Sequence, residues 1–498
     1  MKSTTKSLII AISSVAVLAG AFSAVYFLLP SQEEAEKNSS DAVSSEEADH
    51  YHLISHVPAD IKKIDVENET GKYTILSDTP KTESTAEDGT VSTITDSTVY
   101  TLVGYEDMKL LDGSPDTLAD DAASVTAEKI VNDGSKKSDF GFDSPRAVVK
   151  VTYQDNEQKT ITLGSDAPDN KGAYIMIEGD SNVYLTDSDS VDGYLIGAMG
   201  MLSTEIGKAA ADDDSNKFTK MVFSGSLFDN KDVVFGYNTS EAYSETYVIT
   251  SPDKTIANEE AVTYMMSNIR EFSANEVIAV NADEAKIKEY GLDDPYVTVS
   301  AQYPDLKVDY KATKPDANGE FYLLSDNIIY KTDKNTVSWV NYTYDQLIPE
   351  DVIAPKADSV DKITVEFGKD IYIFDITRNR EVYYDTDKDT DVDNTTLSVK
   401  CNEKDISEAC YNAFYQNLTS AKRSGITNVD SGKETLLKVT FQFSDNTTAT
   451  AEYFKGENRK CPVLINGTIG STAYESYVTK IIDDTAKAAN NEVVKSIY

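Results

Sequence analysis

Histidine, cysteine and tryptophan are scarce in this chain of 498 residues, which contains three His, three Cys and one Trp. The histidines, His50, His52 and His56, lie together ahead of the long sequence that follows. Because His is the usual general base of nucleophilic catalysis, this distribution excludes Ser/His/Asp and Cys/His arrangements from the rest of the chain. The sequence also lacks a Gly-x-x-x-x-Gly-Lys-Ser/Thr loop, a Gly-x-Ser-x-Gly elbow, a Cys-x-x-Cys pair and a His-Glu-x-x-His motif. We therefore assign no catalytic, cofactor-binding or metal-binding residue from the sequence.

The histidine cluster itself has two interpretations. His52 and His56 would share one face of a helical turn, whereas His50 and His52 would share one face of a strand. Either pair could contribute to a transition-metal site, but no Cys lies nearby and one regular conformation cannot serve both pairings. The alternative, which the sequence favours, is a solvated domain edge.

The scarcity of cysteine excludes a small secreted scaffold held together by disulfides. Two interpretations of the three residues stay open. Cys401 and Cys461 lie in predicted strands near the end of the chain and could form a pair. Alternatively, Cys401, Cys410 and Cys461 are buried thiols that act as small apolar side chains.

Positive charge is also in short supply. The chain has 46 Lys and Arg residues against 85 Asp and Glu residues, a formal net charge of −39. Such an excess of negative charge repels nucleic acid and anionic lipid surfaces, so we expect no nucleic-acid partner. An acidic exported chain that avoids Cys and is rich in Asp, Asn, Thr and Tyr suits the outer face of a Gram-positive-type bacterium.

One long apolar run, Leu8–Leu29, carries no charge. A helix of this length crosses the hydrocarbon core of a bilayer, which needs about 20 residues. Lys2 and Lys6 precede the run and acidic residues follow it, so the positive-inside rule places residues 1–7 in the cytoplasm and the bulk of the chain outside. A cleaved signal peptide is the alternative, but its apolar region would span only about 7–15 residues. The sequence therefore predicts a single-pass membrane protein with a transmembrane anchor at 8–29 and an acidic linker at 30–50.

A repeated pattern follows the linker. Alternating apolar and polar residues, which indicate a half-buried strand, occur in Ile61–Val66, Phe218–Phe223 and Val360–Val365. A turn with Gly and Pro at matching places occurs in Phe140–Pro145 and again in Tyr290–Pro295, each followed by a predicted strand. Three consecutive repeats account for this order of strands and turns.

The repeats divide the chain into three predicted units, at 51–210, 211–356 and 357–498, of which the third is divergent. Each unit also contains segments with helical patterning. The predicted helical segments are Ala122–Val131, Asp192–Ala210, Asn258–Phe272, Ala282–Tyr290, Lys404–Ala421 and Tyr477–Lys495. The expected fold class is therefore α+β, with an N-terminal transmembrane helix followed by three units of antiparallel β-sheet that have helices packed on one side.

The third unit contains an acidic stretch with Asp at every second position from Asp385 to Asp393. Carboxylates attract Ca²⁺, and the start of the stretch resembles an EF-hand loop. However, Thr390 and Thr396 stand where that loop needs Gly and a bidentate Glu. A polar hairpin tip without specific Ca²⁺ binding fits the alternation equally well.

Carboxylates and aromatic residues leave one further class of function open. Glycoside hydrolases use paired carboxylates, and glycan-binding sites use stacking aromatics, which the 30 Tyr residues could supply. Abundance alone is not a signal, and Tyr is also a good strand former. We expect the single tryptophan, Trp339, to be a packing residue in the core or between units.

The order of the motifs resembles that of a known family. Ile61–Val66, Tyr290–Pro295 and, more loosely, Tyr184–Val191 are similar to the opening strand, the turn and a later strand of bacterial proteins that carry domain of unknown function 4340. The resemblance spans roughly residues 50–356. It implies one membrane anchor with repeated β-rich units, and an accessory role beside ABC transporters whose permease and ATPase are encoded nearby. It implies no catalytic or ligand residues.

The leading hypothesis is a non-enzymatic extracytoplasmic accessory or scaffold subunit of an ABC-type transport system. Its expected partners are the membrane, through Leu8–Leu29, and an ABC permease and ATPase; no cofactor is expected. The main alternative is a surface carbohydrate-active enzyme or a cell-wall-binding protein. A passive surface spacer or adhesin is a third hypothesis, favoured if the units are flexibly linked.

Overall fold

The computed structural model describes residues 50–85, 91–95, 97–131, 136–168, 172–385 and 390–496. Three predicted segments lie outside these residues: the cytoplasmic segment 1–7, the anchor Leu8–Leu29, and the linker 30–50 except for its last residue. Within the described ranges, no helix combines the length and the apolar character needed to span a membrane.

Strands dominate the described part of the chain, where far more residues lie in strands than in helices. The predicted α+β class is therefore wrong, and the described part of the protein is mostly β-sheet. The physical reason is that several segments with helical patterning form short strands, most of them in two-stranded sheets, or 3₁₀ turns. The N-terminal transmembrane helix that belonged to this prediction falls on residues outside the described ranges.

The chain forms three large antiparallel sheets, which we name sheet 1, sheet 2 and sheet 3 in chain order. Sheet 1 consists of β2 Ile61–Asn68, β3 Gly71–Asp78, β6 Val99–Leu102, β8 Lys129–Ile130, β9 Ala147–Tyr153, β10 Gln158–Asp166, β11 Ala173–Ile177 and β12 Tyr184–Thr186. The same part of the chain also contains strands of two-stranded sheets, which are β1 Tyr51–Ser55, β4 Lys81–Thr85, β5 Val91–Thr95, β7 Ser124–Ala127 and β13 Glu205–Gly207. Sheet 2 consists of β14 Lys220–Ser224, β15 Val233–Tyr237, β16 Tyr247–Ser251, β17 Thr255–Ile256, β19 Glu276–Ala279, β20 Val297–Gln302, β21 Lys307–Ala312, β22 Glu320–Ser325 and β23 Ile328–Asp333. β18 Glu271–Ser273 lies outside this sheet and pairs with β13. The strands of sheet 3 are β24 Val360–Phe367, β25 Asp370–Asp385, β26 Thr390–Cys401, β27 Lys404–Ile406, β28 Thr435–Phe443, β29 Thr448–Phe454, β30 Lys460–Ile465 and β31 Ile469–Tyr474.

The described helices are short; all but the last lie between these strands, and α6 follows β31. The α-helices are α1 Ser114–Ala123, α2 Glu259–Met266, α3 Glu284–Glu289, α4 Tyr344–Leu347, α5 Glu408–Leu418 and α6 Glu475–Ala488. The 3₁₀ turns are Pro58–Asp60, Lys137–Phe140, Ser188–Leu195, Met199–Met201, Ser226–Phe228, Ser338–Asn341 and Ala357–Ser359.

The three sheets share the central part of one topology and differ in their edge strands. The strand orders are β6-β3-β2-β9-β10-β11-β12-β8, then β17-β16-β15-β14-β20-β21-β22-β23-β19, and β27-β26-β25-β24-β28-β29-β30-β31. In each sheet the first strand in the chain (β2, β14 or β24) lies in the middle. On one side it pairs with the next strand of its own hairpin, which is β3, β15 or β25. On the other side it pairs with a strand that follows a helix much later in the chain, which is β9, β20 or β28.

The sequence repeat lies on these three central strands. Ile64, Met221 and Ile363 occupy matching positions, and none of their side chains is exposed. Each pairs with a residue of the distant strand, as the following partners show: Ile64 with Val151, Met221 with Ala301, and Ile363 with Phe441. The alternation that predicted half-buried strands is confirmed here, because every second side chain enters the core.

Helical predictions have mixed outcomes. The last predicted helix, Tyr477–Lys495, is confirmed only as far as Ala488, where α6 ends, and Lys404–Ala421 contains α5. In contrast, Ala122–Val131 includes only the end of α1, and the strand Ser124–Ala127 follows at once with buried Val125 and Ala127. That strand pairs with β1, so a tertiary partner overrides the local helical preference.

The predicted helix Asp192–Ala210 is also wrong. The segment forms 3₁₀ turns and ends in β13, Glu205–Gly207. Gly193 and Gly197 explain the interruption, because both lie against other parts of the chain. A Cβ at Gly193 would come within 2.8 Å of the Leu118 Cα, and one at Gly197 within 2.5 Å of the Thr70 Oγ1.

Candidate functional site

The junctions between sheets are built from the same parts. The strand that leads into sheet 1, β1, pairs with β7, which follows α1. The strand that leads into sheet 2, β13, pairs with β18, which follows α2. Ahead of sheet 3, Asp351 forms an isolated bridge with Lys422, which follows α5. Each lead-in segment is thus held by main-chain pairing to the region after the first helix of its sheet.

A buried arginine, Arg270, fixes the junction between sheets 1 and 2. Its guanidinium Nη2 lies 2.8 Å and 3.0 Å from the two carboxylate oxygens of Asp305, and Nη1 donates to the Ser215 carbonyl at 2.9 Å. Its guanidinium carbon also lies 5.0 Å from the centre of the Tyr303 ring. The hydrogen bond from Arg270 holds the pKa of the Asp305 carboxyl below its ordinary value.

A second buried arginine, Arg423, fixes the junction between sheets 2 and 3. Its side chain is 5% exposed and forms an ion pair with Asp345. The guanidinium also donates to main-chain carbonyls of the connecting segment, by which we mean the residues between β23 and β24 that join sheet 2 to sheet 3. Nε donates to Pro349 at 2.5 Å, and Nη2 donates to Asp345 at 2.6 Å and to Ile348 at 2.9 Å. Planar donors in a fixed fork suit such a cluster of carbonyl and carboxylate oxygens.

A cleft of about 530 Å³ opens at this second junction. It lies between β15–β17 of sheet 2, the segment from Ile348 to Ala354, and the turns β28–β29 and β30–β31 of sheet 3. Volumes of this size are typical of ligand pockets in proteins. Tyr243 and Phe443 close one side, with ring centres 5.8 Å apart in an edge-to-face arrangement. A smaller space of about 420 Å³ adjoins it and shares the Phe443 and Asp445 walls.

Three carboxyl groups line the cleft, from Glu245, Asp351 and Asp445. Asp351 is paired with Lys422 at 2.8 Å. Asp445 accepts hydrogen bonds from the side chain and the main chain of Thr447, which keep the pKa of the Asp445 carboxyl below its ordinary value. Such a group is held ionised and is unsuited to the general-acid role in glycoside hydrolysis, which needs a raised pKa.

The three histidines that the sequence suggested as a possible metal site do not lie together in the structure. His50, just ahead of β1, and His52, on β1, are both exposed, whereas His56 stacks on Tyr153 with ring centres 3.8 Å apart. His56 also lies 3.5 Å from Asp60 and 3.8 Å from Glu157. Among the residues that the structure describes, no group of three His, Cys, Asp or Glu side chains is placed to hold a metal ion.

The cysteines settle one open alternative. Cys401, Cys410 and Cys461 are all free and buried, so pairing of Cys401 with Cys461 is wrong and the interpretation as buried thiols is confirmed. The Cys410 sulfur lies 3.2 Å from the Glu492 carbonyl. Burial raises the pKa of all three thiols, that of Cys401 to about 11.

The acidic stretch Asp385–Asp393 lies at the end of the β25–β26 hairpin, and residues 386–389 fall outside the described ranges. The Ca²⁺ hypothesis therefore stays a prediction. Trp339, in contrast, is fully buried and stacks on Tyr310 with ring centres 6.1 Å apart, so its assignment to the core is confirmed.

Sequence reasoning missed the two junction arginines and the cleft. The cleft combines residues from Tyr237 to Ile469, which no short motif connects. Arg270 and Arg423 each follow an observed helix, α2 or α5, by a few residues. The predicted helix Asn258–Phe272 included Arg270, so no signal in the sequence marked this shared position.

Comparison with known proteins agrees with the resemblance seen in the sequence. The family model described as "Domain of unknown function (DUF4340)" matches residues 100–211 and 248–439, together more than half of the chain. Searches among curated proteins and among solved structures gave no match. The matched segments include strands of all three sheets, and the chain therefore belongs to the DUF4340 family.

Proposed function

We propose that this protein is a non-enzymatic accessory or scaffold subunit of an ABC-type transport system. In this proposal the apolar segment Leu8–Leu29 holds the chain at the cell membrane, and the three sheets lie on the extracytoplasmic side. The permease and the ATPase of the transporter are the expected partners.

One observation supports a scaffold most strongly. Buried residues of all three sheets belong to a single hydrophobic cluster that extends from Ile54 to Val494. The junctions add main-chain pairing and the buried arginines Arg270 and Arg423. Sheets joined in this way keep fixed relative positions, as a subunit that presents several surfaces to one partner needs.

The proposal is tested by affinity purification of the tagged full-length protein from mildly solubilised native membranes, followed by mass spectrometry. We expect an ABC permease and an ATPase at near-stoichiometric levels. An untagged strain is the control for adventitious membrane proteins. Recovery of the protein without any enriched transporter component would overturn the proposal.

The carbohydrate alternative is favoured by one observation, the carboxylate-lined cleft between sheets 2 and 3. It predicts that cell-wall glycans are bound or hydrolysed and that the Glu245→Gln and Asp445→Asn variants reduce this activity. The lowered pKa of the Asp445 carboxyl does not suit the general acid of hydrolysis, although it is compatible with a nucleophile or a general base. A glycan-binding assay with the wild-type chain and these two variants separates the two candidate functions.

A further inference from the structure

The cleft contains an open backbone edge. β17 is the terminal strand of sheet 2, and its Thr255 and Ile256 face Ile249 and Val248 of β16. The Ala257 N–H donates to the Tyr247 carbonyl at 3.0 Å, which fixes the phase of the antiparallel ladder. Alternation along that ladder turns the N–H and C=O of Ile256 away from β16.

One main-chain group that faces outward from this edge is already hydrogen-bonded to another part of the chain. The Asn258 N–H, two residues beyond Ile256, donates to the Leu347 carbonyl at 2.8 Å. The connecting segment thus covers the edge at Asn258. In the described part of the chain, neither the N–H nor the C=O of Ile256 has a hydrogen-bond partner.

Side chains beside this edge form an apolar floor with a polar rim. Ile256 lines the cleft together with the buried side chains of Ile348, Val352 and Ile469. An open strand edge next to apolar pockets is the arrangement by which proteins add an extended peptide as an extra strand. The main chain then provides affinity, and alternate side chains provide specificity.

Charge at the rim indicates the character of the peptide. The guanidinium of Arg423 is directed to Asp345 and to carbonyls of the connecting segment, so it is engaged within the protein. The carboxylates of Glu245 and Asp445 and the amine of Lys254 remain at the rim. Two carboxylates against one amine, in a chain of net charge −39, attract cationic segments.

We propose that this cleft binds an extended peptide segment of a partner protein, in which apolar side chains alternate with Lys or Arg. The segment adds to β17 and pairs with Ile256, its apolar side chains lie on the floor, and its cationic side chains face Glu245 and Asp445. Assignment of the segment to a transport partner rests on the proposed function, whereas peptide binding itself does not.

The test uses the full-length chain in detergent and pools of fluorescent, capped nonapeptides. One pool alternates Val, Ile or Leu with Lys or Arg; a second replaces the basic residues by Glu; a third repeats the basic pool with N-methylated main-chain amides. Binding is followed by fluorescence anisotropy at moderate salt. A tetramer of β-1,4-linked N-acetylglucosamine is the competing probe for a glycan site.

Two pairs of variants complete the experiment. Ile256→Pro removes the outward N–H without touching a hydrogen bond to β16, and Ile256→Val is its matched control. Glu245→Lys reverses a rim charge, and Glu260→Lys on the exposed face of α2 is its control. Melting temperatures establish that each variant is folded.

We expect saturable binding of the basic pool, with at least a tenfold loss for Ile256→Pro, for Glu245→Lys and for N-methylated peptides. Ile256→Val and Glu260→Lys should bind as the wild type does. If Ile256→Pro does not fold, Glu245→Lys and the N-methylated pool decide. The inference is overturned if no pool binds at about 1 mM, if binding ignores N-methylation and Glu245→Lys, or if the tetrasaccharide alone binds. None of these outcomes depends on whether a transporter co-purifies.

Discussion

Burial controls the ionisation of Asp121, close to the end of α1. The Gly193 N–H donates to its carboxylate at 2.8 Å, and the Tyr194 hydroxyl donates to its main-chain carbonyl. Loss of solvent raises the pKa of the Asp121 carboxyl to about 6, an effect that the Gly193 N–H opposes and that the nearby Asp192 and Asp120 carboxylates reinforce. The folded state therefore favours the neutral acid.

The raised pKa of Asp121 predicts a pH-dependent stability. Below the ordinary pKa of 3.8 the group is neutral in both states, and above about 6 it is charged in both, so the folded state loses stability as the pH rises through this window. Asp121→Asn keeps an acceptor for Gly193 and should lose less stability between pH 4.5 and 7.5 than the wild type. Thermal unfolding at both values measures the difference. Asp116→Asn, an exposed change of the same charge on the same helix, is the control; equal pH dependence in the two variants would contradict the prediction.

The buried thiols make a second prediction at the residue scale. Because Cys401, Cys410 and Cys461 are free, buried and hard to deprotonate, none should react with a thiol reagent in the native protein. All three should react in denaturant without prior reduction. Titration with an aromatic disulfide reagent, with and without guanidinium, counts them. A single reactive thiol in denaturant would instead indicate a disulfide.

At the scale of elements, the strands of the repeat were predictable and the helix bounds were not. The alternation in Ile61–Val66 and Val360–Val365 is a local property of a strand with one buried face, and the structure confirms both strands. The ends of Ala122–Val131 and Asp192–Ala210 depend on contacts with β1, Leu118 and Thr70, which lie far away in the sequence. Tertiary partners therefore decide these segments.

The junction element around Arg423 makes a third prediction. Arg423→Ala leaves Asp345 and the carbonyls of Pro349 and Ile348 without their charged donor, and should lower the free energy of unfolding by about 3 kcal/mol. Arg423→Lys should recover only part of this loss, since an ammonium cannot reach the same set of oxygens in one plane. Denaturant unfolding measures the differences.

Arg459→Ala is the control for this prediction, because Arg459 is exposed. Exposed substitutions of this kind usually change stability by less than about 0.5 kcal/mol. An Arg423→Ala variant as stable as Arg459→Ala would show that the arginine does not hold the junction.

At the scale of the whole molecule, the sequence predicted a repeat but not how the repeats join. The pairing of β13 with β18 and the bridge of Asp351 with Lys422 connect segments that carry no distinctive pattern. The cleft is likewise a product of assembly, since its walls come from two different sheets. Local patterning cannot encode such a site, because each wall alone has an ordinary sequence.

The shared core predicts resistance of the junctions to proteolysis. Ile206 is buried and pairs with Phe272, and the Val352 N–H donates to the Ala421 carbonyl at 2.8 Å. Limited digestion with a protease of broad specificity should therefore not release separate sheets. Mass spectrometry of the digest locates the cuts. Early cleavage at both junctions, with stable fragments that each contain one sheet, would instead favour the flexible spacer.

The most direct test of the central claim is cross-linking mass spectrometry of the full-length protein in native membranes. We expect cross-links from lysines on the described sheets to the extracytoplasmic loops of an ABC permease. Lys254 at the cleft rim and Lys422 at the junction are the informative positions. Efficient cross-links within the protein, with none to any transporter component, would contradict the proposed accessory role.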